Sequence, residues 1–302
     1  MKTHVMAVAL GLLLATGSAA AGTPINQTHP LEAKGRIEVS NVQGRLEVRG
    51  WDRPQVQISG ELGDGAHPLQ VTGDARQLQV HVRHPRMGRR PQPTVLILRV
   101  PFQADLEVET VSADIDIDGI APRELRAESV SGAIRAVGAP RKAELESVSG
   151  RIDATLNSAD VQAESVSGGV RLSGRLSDSV EVDSVSGDVV VDTLGERLRR
   201  LSVETVSGGA QVVAGLQPRG EAQLESLSGN VLLRLQADLS ARLEGESFSG
   251  RITAPGASAG SQRPGPGSSV RHDYGRGDGR IRLETFSGNA TLRLDAPAAP
   301  DR

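Results

Sequence analysis

The stretch Leu145-Glu146-Ser147-Val148-Ser149-Gly150-Arg151-Ile152-Asp153-Ala154 is the unit from which most of this 302-residue chain is built. It recurs in edited form nine times, and successive copies lie 19, 18, 18, 19, 21, 21, 21 and 38 residues apart. The last interval contains an inserted segment. A period near twenty residues is typical of stacked supersecondary units, none of which can bury its apolar face alone. The serines that mark the copies are Ser112, Ser131, Ser149, Ser167, Ser186, Ser207, Ser228, Ser249 and Ser287.

Apolar and polar residues alternate within each unit, which is the pattern of a half-buried β-strand. We expect Gly150 and Val148 to face inward, and likewise Phe286, which takes the place of Val148 in the last unit. The alternation slips by one residue between Glu146 and Val148. Because a one-residue slip inverts every side chain that follows, the backbone must bulge or turn a corner near Ser147.

Two short strands joined by such a corner stack into a solenoid, with strands about 4.8 Å apart along its axis. We therefore predict an all-β fold. It is a single-chain β-solenoid, similar to a parallel β-helix, of about nine coils of 18–21 residues with an irregular N-terminal β cap. The glycine after each marker predicts either a crowded inner position or a positive φ. These turn glycines are Gly132, Gly150, Gly168, Gly187, Gly208, Gly229, Gly250 and Gly288.

Composition divides the chain into segments. Residues 1–21, a lysine followed by an apolar run and small residues, predict a signal peptide. Residues 22–34 predict a flexible leader, 35–104 an N-terminal β region that caps the solenoid, 105–295 the repeats, and 296–302 a tail. Within the repeats, residues 254–279 predict an inserted loop rich in Gly, Pro and Ser. We expect a periplasmic or secreted protein without a lipid-modified cysteine, a disulfide or a membrane span in the mature chain.

Charge and composition exclude several classes of function. The formal net charge is −3 and only 2% of residues are aromatic, which argues against nucleic-acid binding and against aromatic sugar-binding platforms. The six histidines are scattered and the chain has no cysteine, so we expect no metal site and no cofactor. The many Ser-Gly pairs lie outside any nucleophile-elbow context and have no recurring histidine beside them. We expect no catalytic residues.

One chemical feature repeats: an acidic residue lies just before the corner of each unit. Stacked at strand spacing, neighbouring carboxylates repel by about 1 kcal/mol per pair in water. Two explanations remain open. Each carboxylate accepts hydrogen bonds from corner N–H groups and hydroxyls, or the row binds divalent cations or a cationic partner. The candidate row is Glu109, Glu128, Glu146, Glu164, Asp183, Glu204, Glu225, Glu246 and Glu284.

Paired acids in a solenoid also resemble those of polysaccharide-cleaving β-helices. Such an enzyme needs a distinct constellation on a few coils, with one acid of raised pKa near a second group. Here every coil carries the same residues. A uniform repeat is better suited to a binding surface than to an active site, so we predict a protein that is not an enzyme.

The Glu-Ser-Val-Ser-Gly units, residues 98–101, residues 39–44 and Gly50-Trp51-Asp52 together resemble the bacterial "putative adhesin" family of β-strand-repeat proteins, a domain of unknown function. The resemblance covers about residues 35–295 and implies an envelope or secreted β-solenoid. We therefore predict an exported, adhesin-like or envelope-associated binding or scaffold protein, whose partner is an unidentified envelope or extracellular protein or glycan. The alternatives are a polysaccharide-active enzyme on the same scaffold and a structural spacer without a ligand.

Overall fold

The computed structural model describes residues 22–83, 92–257 and 267–295, and all regular structure in these ranges is β-strand. The predicted signal peptide and C-terminal tail lie outside the described residues. The strands are β1 (Thr23–Pro30), β2 (Arg36–Trp51), β3 (Gln55–Leu62), β4 (Gln70–Gly73), β5 (Gln77–His81), β6 (Thr94–Pro101), β7 (Asp105–Ile120), β8 (Glu124–Ser129), β9 (Ile134–Gly138), β10 (Lys142–Ser147), β11 (Ile152–Leu156), β12 (Ser158–Ser165), β13 (Val170–Ser173), β14 (Leu176–Ser184), β15 (Val189–Thr205), β16 (Ala210–Ser226), β17 (Val231–Gln236), β18 (Ala241–Ser247), β19 (Ile252–Thr253), β20 (Ser268–Tyr274), β21 (Gly279–Thr285) and β22 (Ala290–Asp295).

Parallel pairing arranges the repeats in two ladders. The first ladder holds the strands that precede each corner: the first half of β2, the first half of β7, β8, β10, β12, β14 and the second halves of β15 and β16. The second ladder holds the strands that follow each corner: the second halves of β2 and β7, then β9, β11, β13 and the first halves of β15 and β16. Neighbouring units pair in register, so equivalent residues form rows along the molecule.

The inward side chains of both ladders form one hydrophobic core. Ala143 and Leu145 of the first ladder and Ile152 and Ala154 of the second are at most 1% exposed. The core is made of Val, Leu, Ile and Ala from every unit. The predicted alternation is therefore confirmed on the strands at both sides of the corner, and the burial of apolar area along the stack holds the units together.

The last two units stack in the reverse of their sequence order. Strand β21 pairs with β16 on one side and with β18 on the other, so the unit of Ser287 lies between those of Ser228 and Ser249. In the second ladder β22 likewise lies between β17 and β19. The units therefore do not stack in chain order at this end. The 38-residue interval between the last two markers provides the chain length for the crossing.

The first described residues also differ from the prediction. Residues 22–34 were predicted to be a flexible leader, but β1 pairs antiparallel with β3 along its whole length. Ile25 and Leu31 are 7% and 1% exposed, so two buried apolar side chains anchor this segment to the core. Strand β2 pairs in parallel with β7, which makes the N-terminal β region continuous with both ladders.

The predicted loop at 254–279 is wrong in part. Strand β20 pairs antiparallel with β18 over seven residues, and residues 258–266 lie outside the described ranges. The hydroxyl of Tyr274, at the end of β20, donates a hydrogen bond to the carbonyl of Pro255 at 2.7 Å. An exposed edge strand leaves backbone groups unpaired, and β20 satisfies those of β18.

Candidate functional site

Each corner has a buried hydroxyl at the end of its first-ladder strand, and in eight of the nine units this hydroxyl forms a hydrogen bond within the corner. Ser147 is 5% exposed, and its Oγ accepts a hydrogen bond from the N–H of Gly150 at 2.9 Å. Serines in five other units accept the equivalent bond at 2.7–3.0 Å. Thr110 and Thr285 instead donate to the carbonyl three residues on, at 2.9 and 2.6 Å. The Thr205 hydroxyl is buried and has no partner among the described residues.

Because the Ser147 hydroxyl faces inward, the alternation of buried and exposed residues breaks after Ser147 instead of before it. Gly150 is buried as predicted. However, Val148 is 45% exposed and Phe286 is 52% exposed, so the prediction that these side chains face inward is wrong. The physical reason is that the buried N–H of the glycine needs an acceptor, which the serine provides by turning inward. The slip then leaves the following apolar side chain in solvent.

The turn glycines are required by close packing between units. A Cβ added to Gly150 would lie 1.9 Å from the carbonyl oxygen of Gly132, and the distance at the other seven turn glycines is 1.8–2.0 Å. None of the eight has a positive φ. Of the two explanations that the sequence left open, crowding is therefore the one that applies. The nearby Gly209 has no atom closer than 3.5 Å to such a Cβ.

The predicted acidic residues form one continuous row, which we call the acidic row. Each carboxylate lies beside the equivalent residue of the next unit, at a strand spacing of about 4.8 Å. Ser40 of β2 continues the row beyond its N-terminal end. The order in space is Glu109, Glu128, Glu146, Glu164, Asp183, Glu204, Glu225, Glu284 and Glu246.

A second row, which sequence reasoning missed, runs beside the acidic row. It consists of apolar side chains that are 44–59% exposed, each two residues after an acid. The two C-terminal members, Phe286 and Phe248, stack their rings at 4.7 Å and 3°. Both rows line a groove of about 1570 Å³ with the buried hydroxyls between them. This apolar row is Val111, Val130, Val148, Val166, Val185, Val206, Leu227, Phe286 and Phe248.

Some of the acids have partners on the same face of the ladder. Arg126 contacts Glu128 and also donates to Glu146 at 3.3 Å. The equivalent contact, from a side chain to the acid two residues on, is made at 2.6–2.9 Å by Arg282, Gln162 and Gln223. In the described part of the chain no corner N–H or hydroxyl bonds to a carboxylate of the row. The explanation that corner hydrogen bonds offset the repulsion is therefore wrong, because the corner N–H groups bond to corner hydroxyls and to backbone carbonyls.

The middle of the acidic row has no such partner. Asp183 and Glu204 make no hydrogen bond or ion pair among the described residues, and the residue two positions before Asp183 is Glu181. Burial, followed by the negative charges of Glu204, Glu181 and Glu164, raises the pKa of Asp183 to about 6. Burial and the charge of Glu128 also raise the pKa of Glu146. The centre of the groove therefore carries concentrated negative charge.

The outer face of the second ladder is organised differently. Its neighbouring residues Asp116, Arg135, Asp153 and Arg171 alternate in sign from one unit to the next. Arg135 lies 3.2 Å from the Asp116 carboxylate. The guanidinium of Arg49 donates to the same carboxylate at 3.0 Å and lowers the pKa of Asp116. We call this set the alternating row. Parallel stacking thus allows charge compensation, which the middle of the acidic row lacks among the described residues.

The groove offers little of the machinery of the common metal enzymes. Among the described residues no three acidic or histidine side chains are grouped so that they would hold a metal ion. Across the same ranges we find no helix with the length and apolar character of a membrane span. The groove presents long parallel rows of acidic and apolar side chains.

Comparison with known proteins identifies the family. The model of the Toastrack DUF4097 family matches residues 35–293, and the chain belongs to this family. This confirms the family resemblance inferred from the repeat. None of the curated proteins matches the chain.

Solved structures resemble the chain at low identity. One is a protein named "putative lipid binding protein" from Parabacteroides distasonis ATCC 8503, 13% identical, with a TM-score of 0.50 over 89% of this chain and 97% of that one. Another is a "putative adhesin" from Bacteroides fragilis NCTC 9343, 12% identical, with a TM-score of 0.42 over 90% of this chain and 97% of that one. At such identities the first likeness concerns the fold alone.

Proposed function

We propose that this chain is an exported, non-enzymatic binding protein, adhesin-like or envelope-associated, which holds an elongated envelope or extracellular partner along its groove. The observation that carries the proposal is the pairing of the acidic row with the apolar row over nine units. At about 4.8 Å per strand, nine units present a surface about 40 Å long. That length suits a polymer better than a small molecule.

The proposal includes a closed β-solenoid of about nine coils, with residues 35–104 as its cap and residues 105–295 as its repeats. It also includes export through the signal peptide at residues 1–21 to the periplasm or the outside medium. Both are supported by the two ladders and by the sequence pattern. A cap fits the physical need to cover the first edge of a stack.

The apolar row supports a binding role because it exposes more apolar surface than folding requires. A contiguous exposed apolar patch on a protein marks an interaction site. Covering the exposed part of one valine would contribute about 1 kcal/mol to binding. The solved structure from Parabacteroides distasonis, named for lipid binding, is similar in fold, and a binding role for this chain is compatible with it.

The test is saturable binding of the purified protein to the envelope fraction of the producing cell. A variant with Val148, Val166 and Val185 changed to Ser removes the middle of the apolar row without disturbing the core. We expect it to lose most of the saturable binding. The control is Leu194→Ser, which removes an apolar side chain that is 64% exposed and lies outside the groove. Equal binding by wild type and the triple variant would remove the groove from the function.

One observation favours the second candidate, a polysaccharide-active enzyme. Asp183 has a pKa raised to about 6 and lies beside Glu204, and a general acid next to a second carboxylate is what glycoside hydrolysis uses. A panel of polysaccharides tests this candidate. Turnover that Asp183→Asn abolishes, and that Glu225→Gln leaves intact, would establish the enzyme and contradict the binding role.

A further inference from the structure

We propose that the groove takes an extended polypeptide segment in which basic and apolar side chains alternate. This inference rests on the proposed function, since it names the chemistry of the partner that the same groove would bind.

The acidic row determines the sign of the charge that the bound peptide must carry. All nine members are acids, and the two in the middle, Asp183 and Glu204, have no counter-charge among the described residues. A partner with basic side chains would supply it. The alternating row shows that this stack can place arginine beside aspartate in neighbouring units. The uncompensated negative charge of the groove would therefore attract a cationic partner. It also disfavours anionic partners, such as phospholipid headgroups or acidic glycans.

The alternation of basic and apolar side chains in the peptide follows from the two different walls of the groove. In each unit an acid and an exposed apolar side chain flank one buried hydroxyl, as Asp183 and Val185 flank Ser184. Side chains of an extended peptide point to opposite sides in turn. A peptide lying lengthwise therefore directs one set toward the carboxylates and the other toward the apolar row. Lys and Arg side chains are long enough to adjust to the spacing of the acids.

Backbone contacts do not supply the recognition. Within the described corners, the turn residues already pair with the next unit, as Val148 N–H with Ser129 O at 3.1 Å and Ser149 N–H with Val130 O at 2.9 Å. The groove would thus recognise the peptide through its side chains. An extended peptide of about twelve residues matches the groove of about 40 Å.

The experiment measures fluorescence anisotropy of three labelled twelve-residue peptides with the purified protein. The first alternates Lys and Leu, the second has the same composition in two blocks, and the third alternates Glu and Leu. We expect the first to bind, the second to bind about tenfold more weakly, and the third not to bind. Binding of the first should weaken steeply as salt is raised, because the contacts are ionic.

Two double variants locate the site. Asp183→Asn with Glu204→Gln, and Val185→Ser with Val206→Ser, should each weaken the Lys-Leu peptide by about tenfold. The matched control, Asp153→Asn in the alternating row, should leave the affinity unchanged. Equal binding of the acidic and basic peptides would overturn the proposal. So would a loss of affinity in the control as large as in the groove variants.

The outcomes separate this inference from the proposed function. If the peptide does not bind but envelope binding still depends on the apolar row, the cationic partner is wrong and the binding groove stands. If changes in the groove affect neither peptide binding nor envelope binding, both the cationic partner and the binding groove are wrong.

Discussion

The acidic row and the alternating row are built by the same stacking and carry opposite electrostatics. In the alternating row, the carboxylate of Asp116 is contacted by the guanidinium groups of Arg49 and Arg135, and these arginines lower its pKa. In the acidic row, Asp183 lies beside Glu204, and burial together with like charges raises its pKa to about 6. Both carboxylates belong to parallel strands paired in register.

The difference teaches that register alone does not decide whether charges are compensated. A parallel in-register stack places equivalent residues side by side, so the sign of each row depends on whether the repeat varies there. The repeat varies at Asp116, Arg135 and Asp153, and it keeps an acid at every corner. The opposite charges of the alternating row favour the folded state, whereas the like charges of the acidic row oppose it.

The largest expected effect tests the spacing on which both rows depend. Gly150→Ala would place a Cβ 1.9 Å from the carbonyl oxygen of Gly132 and force the two units apart. We expect a loss of more than about 3 kcal/mol in the free energy of unfolding, measured by urea denaturation. The control Gly209→Ala has 3.5 Å of space and should lose less than about 1 kcal/mol. Equal losses would show that the crowding does not hold the units in register.

The next effect concerns the compensated carboxylate. Asp116→Asn removes the charge that Arg49 and Arg135 bind, and we expect a loss of about 1.5 kcal/mol at pH 7. Because the pKa of Asp116 is lowered from 3.8, its stabilisation is present above about pH 4 and is lost as the pH falls through the folded-state pKa. The wild-type and variant curves of stability against pH should converge in acid. The exposed Asp118 of the same strand provides the control, and Asp118→Asn should change little.

The opposite sign is expected for Asp183→Asn. The folded pKa of about 6 exceeds the ordinary 3.8, so stability falls as the pH rises between these values, and the cost is complete above about pH 6. Asparagine removes this cost, and we expect a gain of about 1 kcal/mol at pH 7.5 after allowance for screening by water. No gain is expected at pH 3.5. Glu225→Gln, whose carboxylate accepts a bond from Gln223, should give no such gain. A loss of stability at pH 7.5 would contradict the comparison.

The smallest effect on stability separates the apolar row from the core. Val185→Ser, at a side chain that is 46% exposed, should change the unfolding free energy by less than about 0.5 kcal/mol. Val182→Ala, at a fully buried neighbour in the same unit, should cost about 2 kcal/mol. Thermal melts of the two variants give the comparison directly. A large loss for Val185→Ser would mean that the apolar row supports the fold.

Much of the fold was predictable because the same strand-and-corner pattern occurs in every copy of the repeat. The period, the alternation and the corner glycines predicted stacked β units, and the acids were predicted to form one row. The pairing of Glu146 with Glu128 and Glu164 follows from a constant period in parallel register. The side to which Val148 points could not be read from the pattern, because two successive residues at the corner break the alternation.

The sequence by itself determined that equivalent residues of the units lie side by side in rows, since register follows from the repeat. Only the tertiary structure decided three other features. Ser147 turns inward because a buried N–H requires an acceptor, and this leaves Val148 in the groove. The last two units exchange places, with β21 between β16 and β18, and β20 pairs with the far edge of β18. The pKa of Asp183 is raised because the folded chain buries its carboxylate and places the negative charges of Glu204, Glu181 and Glu164 around it.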